Sequence, residues 1–531
     1  MPINAQLAPE FYWVQFTDKK NNQYSLDAPE EFLSERALMR RNRLNIEPDS
    51  LDLPVSQVYL DSLSAFNLSV HCYSKWKNGA VIKSSDELLI DTLHNIGFIA
   101  KPLRNQAVEG KSAQRITEKL IVKARTVVQS DDLFIQIDQL NGRTLHEKGL
   151  KGKGVRIALL DSGYENFDVM GVFKHLRDGN NLIAVRDFVN DGKPIYRSHN
   201  HGSLILSTMA AIAEEPFPAT APEAEYVLVR TENADSEYVI EEYFWLCGAE
   251  FADSIGADLI NSSLGYTEFE DKSQSYTYAD MDGKTAISSI AANIAAKKGI
   301  LVVTSAGNSG NKTWFHIGAP GDAEDVFCIG AVDGNSTVAE FSSRGPSADG
   351  RVKPDFAARG EKSYFYNTNN KLSQGDGTSF SSPIFAGVLA CLRQAYPEAS
   401  VSEIYNAVLA SGDRCTKPDN DYGYGLVNFE KAFERLRIYQ GHDDITYLNV
   451  FPNPISQNSK LLLYLPWLET EKEAVFYLYN QLGKQFSTKV VLVGSGANEI
   501  PIADMFQYAE RGYYILTVNV ENRVYNISIA L

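Results

Sequence analysis

Short apolar runs alternate with helix-period segments through the middle of the chain. Runs rich in aliphatic and β-branched residues are typical of buried parallel strands; they lie at 154–160, 226–230, 258–262, 300–304 and 326–332. Apolar residues at helical spacing predict helices near 202–213, 238–255, 285–298 and 379–395. Such alternation predicts an α/β fold, a doubly wound parallel sheet over residues 132–437.

The flanking segments have other patterns. Before the sheet, FYWVQFT reads as a strand, SERALMRRNRL as a helix after Ser34, and residues 58–84 and 86–103 as helices followed by strands. This β-α-β-β-α-β-like order predicts a small α+β domain over residues 1–128. After a linker at 438–446, short alternating strands (KLLLYLP, AVFYLYN, STKVVLV, YYILTVNV, VYNISIA) predict a small β-sandwich over 447–531.

Composition and charge narrow the classes of partner. The net charge of −17 disfavours nucleic acid and anionic membranes, and no apolar run is long enough for a transmembrane segment. Between Ala221 and Asp282 there are fifteen acidic residues and only two basic ones, Arg230 and Lys272. This stretch is either a solvated acidic face or a negative cleft rim that favours basic substrates or binds calcium.

The five cysteines are scattered and show no CxxC spacing, so neither a disulfide scaffold nor a zinc site is predicted. Cys247 and Cys391 lie in apolar helical patterns and are expected to be buried. The N-terminal residues MPINAQLAPEFYW lack a basic region and an apolar core. The protein is therefore cytosolic, or its signal peptide is absent from this chain.

Several residues of types that can act in catalysis lie just after a predicted strand or just before a predicted helix. Asp161 follows the run 154–160, His201 precedes the helix at 202–213, and Asn308 lies in a Gly-rich loop after 300–304. Ser379, in GTSFSSP, is expected at or just before a helix start, where a hydroxyl can be a cap or a nucleophile. Alone, Asp161 reads as a turn residue and His201 as a surface residue. Pro383 is expected in the first helical turn, which has N–H groups to spare.

The order of these segments is specific. DSG, HGS, SAGN and GTSFSSP resemble the four signature segments of the subtilase family of serine peptidases, whose triad runs Asp, His, Ser. NSSLG at 261–265 resembles the family's substrate-binding strand, and Lys353-Pro354-Asp355 another recurrent segment. Ser203 replaces the usual Thr, and Ala358-Arg359-Gly360 replaces Ala-Pro-Gly; these departures leave the triad intact.

The resemblance implies a subtilisin-like serine endopeptidase that acts on proteins or peptides. Ser379 would be the nucleophile, His201 the general base and Asp161 its orienting partner, while Asn308 and the Ser379 N–H would bind the oxyanion. The implied substrate-binding residues are Ser263, Leu264, Gly265, Ser305, Ala306, Gly307 and Gly318. This chemistry requires no cofactor. Asp280 and Asp282 have the spacing of calcium ligands but not the full loop pattern, so a turn is favoured over structural calcium.

The flanking domains carry resemblances of their own. Residues 1–128 resemble the family's inhibitory propeptide, with a maturation junction expected at 119–133; the alternative is a permanent accessory domain. FPNP, YNQLGK and RGYYIL resemble the sorting domain of proteins exported by the type IX secretion machinery of Bacteroidota. This implies a secreted or cell-surface protein whose signal peptide is absent from this chain. An unrelated carbohydrate- or protein-binding sandwich is the alternative.

Two rival functions fit parts of the sequence. An α/β-hydrolase esterase needs Gly-x-Ser-x-Gly and the order Ser, Asp, His, but Ser381 stands two residues after Ser379. A catalytically silent binding or adhesion protein with the subtilase fold would be expected to lack a triad member. All triad positions hold the expected residue types.

Overall fold

A computed structural model of the protein describes residues 6–66, 68–86, 90, 93–100, 125–126, 133–213, 217–439, 447–451, 453–456, 459–465, 468, 470–521 and 523–531. The expected maturation junction at 119–133 lies outside the described residues, except for Arg125, Thr126 and Leu133. Part of the helix expected after residue 86 also lies outside them.

The N-terminal unit is a four-stranded antiparallel sheet with helices against it. Its sheet has the order β1-β2-β4-β3 and buries residues such as Val14, Leu63 and Ile82. Ser34 caps the first helix by accepting a hydrogen bond from the Ala37 N–H at 3.2 Å, as its position before the helix suggests. The elements are β1 (Gln6–Ala8), β2 (Phe11–Gln15), α1 (Glu35–Arg43), α2 (Gln57–Ala65), β3 (Ser69–Ser74) and β4 (Gly79–Lys83).

The central unit is a parallel sheet of seven strands in the order β12-β11-β10-β9-β6-β8-β7, with helices on both faces. A small antiparallel sheet, β13-β14-β5, lies beside it. Its elements are β5 (Arg125–Thr126), α3 (Ile135–Asp138), α4 (Arg143–Glu147), β6 (Arg156–Asp161), α5 (Lys174–Asp178), β7 (Leu182–Asp187), α6 (His201–Ala210), β8 (Glu225–Arg230), α7 (Ile240–Ser254), β9 (Leu259–Ser262), α8 (Ile287–Lys297), β10 (Leu301–Ser305), β11 (Phe327–Val332), β12 (Phe356–Arg359), β13 (Ser363–Tyr366), β14 (Leu372–Gly375), α9 (Thr378–Ala395), α10 (Val401–Leu409) and α11 (Phe429–Tyr439).

Burial on both faces explains why the strands read as continuous apolar runs. In β6, Ile157 and Leu159 join the core beneath α6 and α9, while Ala158 and Leu160 join the core beneath α7 and α8. The chain passes from β6 to β7 and β8 on one side and returns to β9 on the other. The carboxyl ends of β6 and β9 therefore flank the crevice where such sheets bind ligands.

The C-terminal unit consists of two small antiparallel sheets that share one core. A three-stranded sheet, β15-β16-β19, faces a four-stranded sheet, β18-β17-β20-β21, and residues such as Leu463, Phe476 and Leu516 fill the space between them. The strands are β15 (Tyr447–Phe451), β16 (Lys460–Leu465), β17 (Lys472–Asn480), β18 (Gln485–Val493), β19 (Gly496–Pro501), β20 (Tyr513–Val520) and β21 (Arg523–Ala530).

The predicted doubly wound parallel sheet is confirmed. The two strands at its edges, β7 and β12, were not anticipated. Among the helices that the structure describes, none is both long enough and apolar enough to cross a membrane.

Candidate active site

Asp161 and His201 form a buried, hydrogen-bonded pair. Asp161 is the last residue of β6 and His201 the first residue of α6. His201 Nδ1 lies 2.8 Å from Asp161 Oδ1 and 3.0 Å from Oδ2, and the Ser162 N–H donates to Oδ1 at 2.7 Å. Because the carboxylate engages Nδ1, it fixes the tautomer in which Nε2 is the acceptor.

Two residues near Asp161 shape the turn after β6. Gly163 lets the loop before His201 come close to it, and Arg230 holds it in place. Gly163 has φ +156°, and a Cβ there would lie 2.5 Å from the backbone nitrogen of His199, so the loop before His201 could not come so close. Arg230, almost fully buried, donates to the Ser162 carbonyl oxygen at 3.1 Å and to Asp191 at 2.9 Å. The turn after β6 is thereby fixed from both sides.

His199 was not anticipated as a neighbour of the pair. Its Nδ1 lies 2.9 Å from Ser162 Oγ, which also contacts Asp161 Oδ1 at 3.2 Å. Burial, together with the nearby His201, lowers the pKa of His199 to about 4. His199 is therefore neutral at neutral pH.

Ser379 lies at the start of α9 and is almost buried. Its Oγ donates to the Ser263 carbonyl oxygen at 3.4 Å, a long hydrogen bond that leaves the hydroxyl free to turn towards another acceptor. Its N–H belongs to the first turn, whose N–H groups have no acceptor within the helix.

Pro383 does not lie in the first turn, as the sequence suggested, but is the sixth residue of α9. Its missing N–H would have bonded the Ser379 carbonyl oxygen four residues earlier. That oxygen instead accepts a hydrogen bond from Ser263 Oγ at 3.0 Å. Because Pro383 leaves this oxygen without a helical donor, the hydrogen bond from Ser263 can join the end of β9 to the segment that carries Ser379.

Asn308 is oriented by the residue before Ser379. Its Oδ1 accepts hydrogen bonds from both the N–H and the Oγ1 of Thr378, each at 2.9 Å. Thr378 Oγ1 in turn accepts from the Gly307 N–H at 3.2 Å. Because the amide oxygen is engaged on one side, the amide NH₂ group is the donor left for a ligand.

A cavity of about 370 Å³ brings most of the predicted residues together. Leu264 does not line it, because its side chain packs in the core beneath α7 and α8, so only its backbone could meet a ligand. Asp161 and His201 are not among the lining residues. The predicted residues that do line it are Ser263, Gly265, Ser305, Ala306, Gly307, Asn308, Gly318 and Ser379.

One wall of the cavity is acidic. Glu232, Glu237 and Glu268 line it, and the first two are buried. Carboxylate oxygens of Glu232, Glu237 and Glu241 lie within 4.8 Å of one another, and Tyr266 Oη donates to Glu232 at 3.2 Å. None of these glutamates was singled out from the sequence; the only signal was the acidic stretch from Ala221 to Asp282.

Asp280 and Asp282 stabilise local turns. Asp280 accepts hydrogen bonds from the N–H and Oγ1 of Thr277, both at 2.7 Å. Asp282 accepts from the N–H groups of Lys284 and Thr285, both at 2.8 Å. Their oxygens thus engage their own loop, as the turn interpretation expects.

Comparison with known proteins assigns two parts of the chain to families. Residues 152–425 match the subtilase family, and residues 11–119 match the peptidase S8 propeptide domain of Bacteroidota. The chain is 30% identical over 324 residues to serine protease AprX of Bacillus subtilis, covering 55% of this chain and 68% of that protein. It is 28% identical over 291 residues to subtilisin DY of Bacillus licheniformis (54% and 93%), and 30% identical over 297 residues to subtilisin BL of Lederbergia lenta (56% and 97%). The chain therefore belongs to the subtilase family of serine-type peptidases and carries a family propeptide domain in its N-terminal part.

Proposed function

We propose that the protein is a secreted, subtilisin-like serine endopeptidase made as a zymogen. The observation that carries this proposal is the Asp161–His201 hydrogen bond at one edge of the sheet, where Ser379 and Asn308 share a single cavity. The alternative, a silent binding protein on the same fold, has less support because each side chain needed for acyl transfer is retained.

In the proposed mechanism, Ser379 Oγ attacks the substrate carbonyl while His201 Nε2 accepts the hydroxyl proton. Asp161 holds the resulting imidazolium in place. The Asn308 NH₂ group and the Ser379 N–H bind the oxyanion; one such donor contributes about 3 kcal/mol to transition-state stability. His201 returns the proton to the leaving amine, and water then hydrolyses the acyl-enzyme by the reverse sequence.

The substrate is proposed to bind as an added strand. The segment Ser263–Gly265 continues β9 to the rim of the cavity, and its backbone can pair with an extended peptide. Ser305–Gly307 would face the same peptide, with Gly318 leaving room for a side chain. The proposed steps use protein groups and water and call for no cofactor; a calcium ion, if bound elsewhere, would be structural.

The N-terminal domain is proposed to inhibit the enzyme until it is cut off. It packs against α7 of the central unit, where Trp13 and Tyr243 have ring centroids 4.8 Å apart. In our proposal Ser379 cleaves the chain within 119–133, and this cut separates the domain from the peptidase unit. The family match of residues 11–119 supports this role over that of a permanent accessory domain.

The C-terminal sandwich is proposed to direct export through the type IX secretion machinery. Its FPNP segment begins at Phe451, the last residue of β15, and its RGYYIL segment leads into β20, in the order found in such sorting domains. Secretion or attachment at the surface of a Bacteroidota-type cell follows from this proposal.

A nucleophile test decides the catalytic proposal. The purified chain is treated with a serine-directed phosphonofluoridate, beside Ser379→Ala and an exposed control, Ser402→Ala. Before treatment, wild type and control are expected to digest casein; after treatment, each should carry one adduct, mapped to Ser379, and lose this activity. Ser379→Ala should neither digest casein nor gain the adduct, and should keep its N-terminal domain. Casein digestion by Ser379→Ala at the wild-type rate would overturn the assignment.

A further inference from the structure

Two thiols meet across the boundary between the N-terminal domain and the peptidase unit. Cys72 lies on β3 of the N-terminal sheet, and Cys247 lies on α7 of the central unit. Their sulfur atoms are 3.2 Å apart, and the Cys247 thiol also lies 3.5 Å from the Tyr73 carbonyl oxygen. Residues 175 positions apart in sequence thus place their thiols in direct contact.

The surroundings hold this contact in place. Both cysteines are buried and belong to one apolar cluster, which includes Trp76 of the N-terminal domain and Phe244 of α7. The Cys72 thiol and burial both raise the pKa of the Cys247 thiol. A neutral thiol in an apolar interface reacts slowly with reagents in solution, so oxidation would accompany docking of the two domains rather than follow it.

We propose that Cys72 and Cys247 form a disulfide bond that joins the N-terminal domain covalently to the peptidase unit. The S–S bond length is about 2.05 Å, so the sulfurs need to approach by roughly 1 Å, within reach of small side-chain rotations. The oxidant is a disulfide, either of an exported thiol–disulfide oxidoreductase or of a small molecule. One thiolate attacks that disulfide and releases one thiol; the second cysteine then displaces the other, so two electrons and two protons pass to the oxidant.

The disulfide would change how the N-terminal domain is released from the peptidase unit. The peptide connection between the two domains passes through residues 101–132, and its cleavage alone would not free a domain that is also held at Cys72. A tethered inhibitor has a high effective concentration at its site, so the cleaved enzyme would keep only a minor part of its activity until a reductant acts. This consequence rests on the proposed function, whereas the bond itself does not.

The bond is tested in the inactive full chain. Ser379→Ala is refolded with oxidised and reduced glutathione and then denatured, and its free thiols are counted. The thiol count is expected to fall by two, and a digest should contain Cys72 joined to Cys247. Adding Cys415→Ser, which removes a cysteine far from the pair in sequence, should leave that loss of two unchanged, whereas adding Cys72→Ser should abolish the cross-link. An unchanged thiol count in folded Ser379→Ala would overturn the proposal, even if the cysteine variants failed to fold.

The consequence is tested in the active chain. After self-cleavage, the N-terminal fragment should migrate with the peptidase on a non-reducing gel and separate on a reducing one. Dithiothreitol should raise the activity of dilute wild type about tenfold or more, and leave Cys72→Ser unchanged. Absence of self-cleavage with the cross-link present would refute the zymogen proposal and not the disulfide; release of the fragment without reductant would refute the disulfide tether.

Discussion

Glu232 and Glu237 place two buried carboxylates in the wall of the cavity that holds Ser379. A lysine or arginine side chain that enters this cavity would come close to both carboxylates, where opposite charges attract more strongly than in bulk water. A peptide with a lysine or arginine beside the scissile bond would supply such a cation. An acidic peptide would instead add repulsion.

Peptides that differ only in Lys or Glu at positions flanking the scissile bond test this expectation. At low salt we expect kcat/KM to favour the lysine peptide about tenfold or more, because a hydrogen bond to a charged group contributes about 1.5–3 kcal/mol. Salt should reduce the preference. Glu237→Gln should weaken it, whereas Glu147→Gln, at an exposed position on α4, should not. Equal rates for the two peptides at low salt would contradict the expectation.

At the scale of single residues, the sequence predicts the reacting groups from their motifs, and their catalytic role stays a prediction. Asp161, His201, Asn308 and Ser379 were located because each stands in a short motif at the end of a strand or the start of a helix. Glu232 and Glu237 could not be chosen among fifteen acidic residues between 221 and 282, since only the folded chain decides which of them face the cavity.

The N-terminal domain and the peptidase unit meet at helix α7. One face packs on the central sheet, and Glu250, at the other, accepts hydrogen bonds from Ser74 Oγ and from the N–H groups of Lys75 (2.8 Å) and Trp76 (3.1 Å). Burial raises the pKa of Glu250 to about 7, although the nearby Lys75 opposes the shift. The folded chain therefore binds this proton more tightly than the unfolded chain does.

A raised carboxyl pKa contributes stability below the unfolded value, near 4.5, that is lost as the pH rises through about 7. In a Ser379→Ala background, we compare the free energy of unfolding with and without Glu250→Gln. Between pH 5 and pH 8 the effect of this substitution should shift in the stabilising direction, by up to about 3 kcal/mol. Asp253, whose pKa is held low by Lys75 and two arginines, titrates outside this window. Melting curves at both pH values measure the change, with Glu147→Gln as control; a pH-independent effect of Glu250→Gln would contradict it.

The interior strands of the sheet were predicted to within two residues, because burial on both faces gives them uninterrupted apolar runs. The edge strands lack that signal. In β7, Arg186 is exposed and Leu182 only partly buried, so the segment reads as polar. The position of Pro383 was wrongly predicted for a related reason. The helix accommodates a proline at its sixth residue because Ser263, which lies far away in sequence, bonds the carbonyl oxygen that the proline leaves without a donor.

The two flanking domains relate differently to the peptidase unit. The N-terminal domain shares an apolar core with α7 and α8, to which Trp13, Trp76 and Val81 contribute. The C-terminal sandwich has a core of its own. Its contacts with the peptidase unit include a hydrogen bond from Asn406 to Glu499 at 3.3 Å and the burial of Leu462.

A chain that ends at Tyr439 should therefore keep its peptidase activity. Because the sandwich encloses its own core, its removal exposes little of the central unit, and we expect kcat/KM on a short peptide to stay within about twofold of wild type. In the native cell the same truncation should leave the protein inside, since the proposed export signal is gone. Loss of hydrolysis by the purified truncated chain would show that the sandwich supports the active site. Undiminished export would instead remove the sorting role and favour a binding function for this domain.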